Sequence, residues 1–112
     1  MKLVLAIGYN DALLAARKAF LEQQGFAVLT AQSRQEIIQQ LIEADCDAAI
    51  LCQSTPPKER ENISRIFSRF RPLTPLVVLS PMEELDHLSG RTITSHPNAL
   101  PQVLQELFTN AA

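Results

Sequence analysis

The amino-acid sequence predicts an α/β fold: a three-layer, doubly wound sandwich in which helices cover both faces of a five-stranded parallel sheet. Short uninterrupted apolar runs, typical of strands buried on both faces, alternate along the chain with segments of helical period. The connections between them are short, which favours right-handed crossovers between parallel strands. With 112 residues, the chain is long enough for one such domain, over residues 1–112, and too short for two.

The first half of the chain predicts two strand–helix units. A strand over Leu3–Ile7 ends at the turn Gly8-Tyr9-Asn10, and the following helical segment stops at Gly25, a residue type common just after helices. Residues 26–31 are rich in strand formers. Ser33 then stands three residues before Glu36, which is the spacing of a helix capping box. A second helix is therefore expected to begin near Ser33.

Three further strands are predicted in the second half of the chain, over residues 48–52, 76–79 and 91–94. An amphipathic helix bounded by Pro57 and Pro72 separates the first two of them. The last of the three is more polar, as expected of an edge strand, and only a short fourth helix over 82–88 fits before it. Asn98 can cap a final helix that has Pro101 in its first turn.

Composition and charge exclude several classes of partner. The chain has 10 basic and 12 acidic residues and a formal net charge of -2, so no overall positive field attracts nucleic acid or an anionic membrane. The longest apolar run, Leu3–Ile7, is far shorter than the roughly 20 residues of a membrane span. The first residues lack the pattern of a signal peptide. We therefore expect a cytoplasmic protein that binds neither nucleic acid nor membrane.

Open parallel sheets bind ligands beyond the carboxyl ends of their strands. In this chain those positions are residues 8–11, 52–55, Ser80 and 95–97. Five strand–helix units in this length, with Ser80 ending strand four and Ser95-His96-Pro97 following strand five, resemble a bacterial response-regulator receiver (CheY-like) domain. The resemblance covers essentially the whole chain. It implies the strand order 2-1-3-4-5 and a place in two-component or phosphorelay signalling.

The chemistry of the family needs residues that this chain largely lacks. Receivers hold magnesium with two acidic residues after strand one and accept a phosphoryl group on an aspartate at the end of strand three. They also use a serine or threonine after strand four and a lysine before a proline. Only Ser80 matches, because the other positions hold Gly8, Tyr9, Cys52 and His96. The resemblance therefore implies a degenerate pseudo-receiver pocket, formed by Gly8, Tyr9, Asn10, Asp11, Cys52, Ser80 and His96.

Asp11 is the only acidic residue near the predicted strand ends, and magnesium sites usually need one or two carboxylates. We therefore expect no tight magnesium binding, no acyl phosphate and no cofactor. Asn10 or Asp11 can instead cap the first helix through its side chain. Tyr9 can fill the space left by the missing acids or contact a partner.

Cys52 carries the one enzymatic alternative, a thiol-dependent redox or small-molecule function in which His96 pairs with the thiol. A small buried side chain is the competing role for this cysteine. Cys46 and Cys52 are too far apart along an extended strand to form a disulfide. No metal site can be assembled around His87 or His96. The His96-Pro97 peptide bond is expected to be cis, as the equivalent bond often is in receivers.

The sequence also predicts surfaces for protein partners. The third helix carries five basic residues against two acidic ones, a pattern of either a solvated face or a site for an acidic partner. A short fourth helix would leave part of the last helix uncovered, which suits a partner or a homodimer. The candidate partner surface is Arg65, Arg69, Ile93, Val103 and Leu107. The predicted function is that of a phosphorylation-independent, non-enzymatic signalling module acting through protein–protein contacts.

Overall fold

A single sheet of parallel strands, in the order β2-β1-β3-β4-β5, forms the centre of the computed structural model. The structure describes residues 2–79, 92–95 and 99–110. Its strands are β1 (Leu3–Ile7), β2 (Ala27–Ala31), β3 (Ala48–Leu51), β4 (Leu76–Leu79) and β5 (Thr92–Ser95). The described helices are α1 (Asp11–Gln23), α2 (Arg34–Glu43), α3 (Pro57–Phe70) and α4 (Leu100–Asn110). The predicted α/β class with a parallel sheet is confirmed.

Local sequence signals account for the helix ends. The Asn10 side chain accepts a hydrogen bond from the backbone N–H of Leu13 at 3.0 Å and caps α1. Gly25 follows α1 with a φ of 96°, a left-handed conformation that suits glycine, and therefore ends the helix as predicted. Ser33 caps α2 as predicted by accepting from the N–H of Glu36, but the reciprocal half of the capping box differs, because the Glu36 carboxylate accepts from the N–H of Gln32, the residue before the cap.

Two hydrophobic clusters lie on opposite faces of the sheet. Leu14 and Leu21 of α1 and Leu104 of α4 pack with one set of strand residues. The other cluster contains Leu41 of α2 and Phe67 of α3. Neighbouring residues of β1, β2, β3 and β4 alternate between the two clusters, as the pleat requires. The sheet is thus covered by α1 and α4 on one face and by α2 and α3 on the other.

This arrangement gives the sheet two chemically different edges. The carboxyl ends of β1 and β3 lie beside the N-termini of α1, α2 and α3, and we call this side the carboxyl edge. The C-terminal ends of α2 and α3 lie at the opposite side, the amino edge. No helix in the described part of the chain is long and apolar enough to cross a membrane. The helix predicted over 82–88 and the predicted cis His96-Pro97 bond fall outside the described residues.

Candidate functional site

The carboxyl edge brings together most of the residues predicted to form the degenerate pocket. Gly8 and Tyr9 follow β1 directly, and Cys52 follows β3. The Cys52 N–H donates to the carbonyl of Ile7 at 2.8 Å, which holds the ends of the two strands side by side. The other described members, Asn10 and Asp11, cap and begin α1. Ser80 and His96 lie outside the described residues.

Gly8 is packed so closely that a side chain at this position would meet neighbours on three sides. A Cβ added to Gly8 would lie 3.3 Å from the Cβ of Cys52, and 3.4 Å from both the Leu14 Cδ1 and the Ser54 Oγ. The first of these distances is tighter than ordinary van der Waals contact. An acidic side chain at Gly8 would therefore have to displace the strand-end packing before it could reach a metal ion.

Tyr9 is part of a hydrogen-bonded cluster that links three connections of the carboxyl edge. The Tyr9 hydroxyl donates to Glu59 Oε2 at 3.1 Å, and the Tyr9 N–H donates to the Ser54 hydroxyl at 3.2 Å. Arg34 donates to both oxygens of the same Glu59 carboxylate, at 3.0 Å from Nε and 2.6 Å from Nη2. We call Tyr9, Arg34 and Glu59 the carboxyl-edge brace. It joins the end of β1 to the first turns of α2 and α3.

The hydrogen bonds within the brace keep the Glu59 carboxylate ionised. The hydrogen bond from Arg34 is the main cause that lowers the pKa of Glu59 to about 2, with smaller contributions from Tyr9 and Asn62. Partial burial and the neighbouring carboxylate raise the pKa of Tyr9, so its hydroxyl keeps the proton that it donates. A bidentate arginine contact of this kind occupies both carboxylate oxygens. Glu59 is therefore already bound within the chain.

Asp11, the acidic residue singled out in the sequence, is also engaged. Its carboxylate accepts a hydrogen bond from the side-chain amide of Gln32. Its position in the first turn of α1 also suits a negative charge. Within residues 2–79, 92–95 and 99–110, no group of three His, Cys, Asp or Glu side chains is placed to hold a metal ion.

Cys52 is 1% exposed, and burial raises the pKa of its thiol, although Arg17 opposes the shift. The neutral thiol is a weaker nucleophile than the thiolate. Arg17 also donates to the Gln53 side-chain carbonyl at 3.0 Å, close to the end of β3. Cys46, the other free cysteine, is buried and likewise has a raised pKa. These properties fit a packed side chain better than a reactive one.

The sequence reasoning missed Arg34, Glu59 and Arg17, and it gave no role to Ser54, although Ser54 lies in the strand-end range 52–55 that it singled out. Arg34 begins α2 and Glu59 lies in the first turn of α3, so the predicted helix starts already placed both residues near the carboxyl edge. Their opposite charges were the available signal. The sequence does not reveal that they pair, because 25 positions separate them.

The predicted partner surface is divided between the two layers. Arg65 and Arg69 are exposed on α3, while Val103 and Leu107 of α4 are half-buried and pack against the core on the other face of the sheet. Ile93 belongs to β5, and its side chain is outside the described part. The structure therefore does not bring these residues into one surface.

Comparison with known proteins gives a clear result for the fold. No family model and no curated protein matches the sequence. Among solved structures, a two-component response regulator from Clostridium difficile has a TM-score of 0.82 at 14% identity, covering 98% of each chain. The response regulator TrrA of Thermotoga maritima, solved in complex with Mg(2+)-BeF, has a TM-score of 0.78 at 16% identity over 96% of this chain and 99% of that one.

Chemotaxis protein CheY4 of Vibrio cholerae is similar over 100% of this chain and 99% of its own, with a TM-score of 0.75 and 17% identity. These likenesses show that the chain has the receiver (CheY-like) fold over its whole length. The α/β architecture inferred from the sequence is thus that of response-regulator receiver domains.

Proposed function

We propose that this protein is a receiver-like signalling module that acts through protein–protein contacts and does not depend on phosphorylation. The observation that carries the proposal is the packing at the carboxyl edge. A side chain at Gly8, where the resemblance to receivers implies a magnesium ligand, would crowd Cys52 at 3.3 Å and require its neighbours to shift, and the same resemblance implies Cys52 at the position of the acceptor aspartate.

Phosphoryl transfer to a receiver needs an acceptor carboxylate and oxygen ligands for magnesium. Three carboxylates described near this edge are engaged: Asp11 accepts from the Gln32 side chain, Glu36 accepts from the Gln32 N–H, and Glu59 accepts from Arg34 and Tyr9. Freeing Glu59 for a metal would cost the bidentate arginine contact. This supports a module without tight magnesium binding and without a cofactor.

A catalytic role is not part of the proposal. The thiol-dependent alternative needs a nucleophilic Cys52, and the burial and raised pKa of this thiol weigh against it. Its proposed partner His96 lies outside the described residues. We therefore assign Cys52 to packing between the ends of β1 and β3.

Protein partners are the remaining means of signalling. TrrA of Thermotoga maritima, which shares this fold at 16% identity, was solved in complex with the histidine kinase ThkA. By analogy we propose protein partners for this chain, a homodimer included, in a cytoplasmic two-component setting. The candidate surfaces are the basic face of α3 around Arg65 and Arg69 and the apolar residues Val103 and Leu107 of α4. The net charge of -2 does not favour nucleic acid.

The experiment is a two-dimensional amide NMR titration of the protein with magnesium and then with magnesium plus beryllofluoride. TrrA is the positive control, since that receiver was crystallised with Mg(2+)-BeF. We expect no saturable shifts at Gly8, Tyr9 or Cys52 at concentrations that saturate TrrA. Saturable shifts centred on these residues would show a working acceptor site and overturn the proposal.

A further inference from the structure

Three apolar side chains are exposed at the amino edge, at the opposite end of the sheet from the brace. Ile42, in the last turn of α2, is 70% exposed, and Phe70, the last residue of α3, is 48% exposed. Leu73, in the connection from α3 to β4, is 78% exposed. We call Ile42, Phe70 and Leu73 the amino-edge patch. An apolar group of this kind at a protein surface often marks a contact site.

Arg71 joins the end of α2, which carries Ile42, to the end of α3, which carries Phe70. The Arg71 guanidinium donates to the Leu41 carbonyl at 2.9 and 3.2 Å, and to the Ala44 carbonyl at 3.2 Å. Helical spacing gives the same result: Phe70 lies three turns below Glu59 on one face of α3, and Glu59 contacts α2 through Arg34. Phe70 therefore points toward the end of α2, where Ile42 is exposed.

Charged residues flank the patch with opposite signs on its two sides. On the α3 side, Arg65 and Arg69 are exposed and have no ion-pair partner among the described residues. On the α2 side, Glu43, Asp45 and Asp47 are exposed. Asp45 pairs with Arg71 at 3.0 Å, Asp47 accepts from the Leu3 N–H at 2.8 Å, and Glu43 forms no ion pair with any residue in the described ranges. The surface thus has apolar side chains and the internally paired Arg71 and Asp45 at its centre, exposed arginines on one side and acidic side chains on the other.

This distribution of charge favours a partner that carries both signs of charge. A uniformly acidic segment would be repelled by the α2 side, and a uniformly basic one by the α3 side. A second copy related by a two-fold axis places the basic side of each protomer over the acidic side of the other. We infer that the amino-edge patch is a self-association surface at which two copies of this chain form a two-fold dimer.

The dimer should be weak and dependent on concentration. Stable interfaces bury about 800 Å² on each partner, and three apolar side chains with a charged rim belong to the small end of that range. Salt should weaken it, because the rim charges are exposed and screened. This inference rests on the part of the proposed function that includes a homodimer and names its surface, and it is independent of whether the carboxyl edge binds beryllofluoride.

Charge reversal with sedimentation velocity tests the inference. Arg69→Glu and Glu43→Arg each place like charges across both halves of a two-fold interface, so each variant alone should dissociate about tenfold more readily than the wild type. An equimolar mixture of the two variants restores opposite charges at both contacts and should recover the dimer. The double variant R69E/E43R should also dimerise with itself.

Apolar variants supply the matched control. Leu73→Gln should weaken the dimer, whereas Leu13→Gln, at an exposed apolar position on α1, should not. Both positions are exposed, so circular dichroism should show folded proteins of similar stability. A wild type that stays monomeric at every concentration would overturn the inference. So would a dimer that resists all the patch variants, or a mixture of R69E and E43R that stays monomeric. None of these outcomes bears on the beryllofluoride titration.

Discussion

Replacing Arg71 by lysine should destabilise the protein because Arg71 supplies hydrogen bonds that the end of α2 lacks. The last turn of α2 has no basic residue, and Ala44 leaves the helix in an extended conformation. Its final carbonyls therefore need donors from elsewhere. Arg71 gives three hydrogen bonds to the Leu41 and Ala44 carbonyls with one planar group. A lysine keeps the charge but cannot reproduce this fork.

The magnitude follows from what is lost. A hydrogen bond from a charged group contributes about 1.5–3 kcal/mol, and a partner left unsatisfied costs a similar amount. The Arg71 side chain is 32% exposed, so water and the new ammonium group recover part of this loss. We expect Arg71→Lys to lower the free energy of unfolding by about 2 kcal/mol. Asp45→Asn should cost less than about 0.5 kcal/mol, because the Asp45 side chain is 90% exposed in its ion pair.

Urea denaturation at low protein concentration measures both effects on the monomer. Arg69→Lys is the matched control, since Arg69 is exposed on the same helix and makes no ion pair among the described residues. Its stability should stay within about 0.5 kcal/mol of the wild type. Equal stabilities for the two lysine variants would refute the role of the carbonyl contacts. If D45N lowered the free energy of unfolding as much as R71K, the ion pair and not the carbonyl contacts would account for the effect of Arg71.

Three further predictions concern the carboxyl edge. Gly8→Ala should lower the free energy of unfolding by about 1 kcal/mol, because the new Cβ would lie 3.3 Å from the Cβ of Cys52. Gly8→Asp should lower the free energy of unfolding further, and a calorimetric titration should show that it does not create magnesium binding. The carboxyl carbon of Glu59 should titrate by NMR with a midpoint at about pH 2, and this midpoint should move toward 4.5 in Arg34→Ala. Because folding lowers the pKa of Glu59, the brace contributes stability that is fully present above pH 4.5 and is lost as the pH falls toward 2. A midpoint near 4.5 in the wild type would contradict the brace. Alkylation of the Cys52 thiol by iodoacetamide should be much slower in the folded protein than in urea. Its rate should still be rising with pH at pH 9, because a raised pKa keeps the thiolate fraction small there. Rapid reaction at neutral pH would revive the thiol-dependent alternative.

Features encoded in adjacent residues could be predicted from the sequence. The end of α1 at Gly25 and the cap of α2 at Ser33 depend on local backbone geometry, so residue type and spacing suffice. The alternation of apolar runs with helical segments likewise predicts a parallel sheet with helices on both faces.

Contacts between distant segments could not be predicted in the same way. Tyr9 and Glu59 are 50 positions apart, and a glutamate in the first turn of a helix is by itself an ordinary solvated residue. The close packing of Gly8 against Cys52 likewise depends on the register of β1 with β3. Residue identity alone showed that acidic residues are missing at the predicted strand ends. The contacts that the present residues make at the carboxyl edge could be seen only in the folded structure.

The predicted partner surface shows a second limit. Helical periodicity identifies the inner and outer sides of α3 and α4, but it does not say which face of the sheet each helix covers. The structure assigns them to opposite faces, so Arg69 and Leu107 are separated by the sheet. The amino-edge patch was missed because Ile42 and Phe70 each look like an ordinary core position in an amphipathic helix.

The carboxyl-edge brace bears on how such a module can carry information. A molecular switch requires two arrangements of comparable free energy, with a ligand that prefers one of them. Tyr9, Arg34 and Glu59 link three connections at the place where such a ligand would act, and so favour one arrangement there. If the proposed module has a single arrangement, it responds by mass action, and its signal is the number of copies present and the partners they occupy. Regulation would then lie in synthesis and degradation, with the dose of the protein as the message.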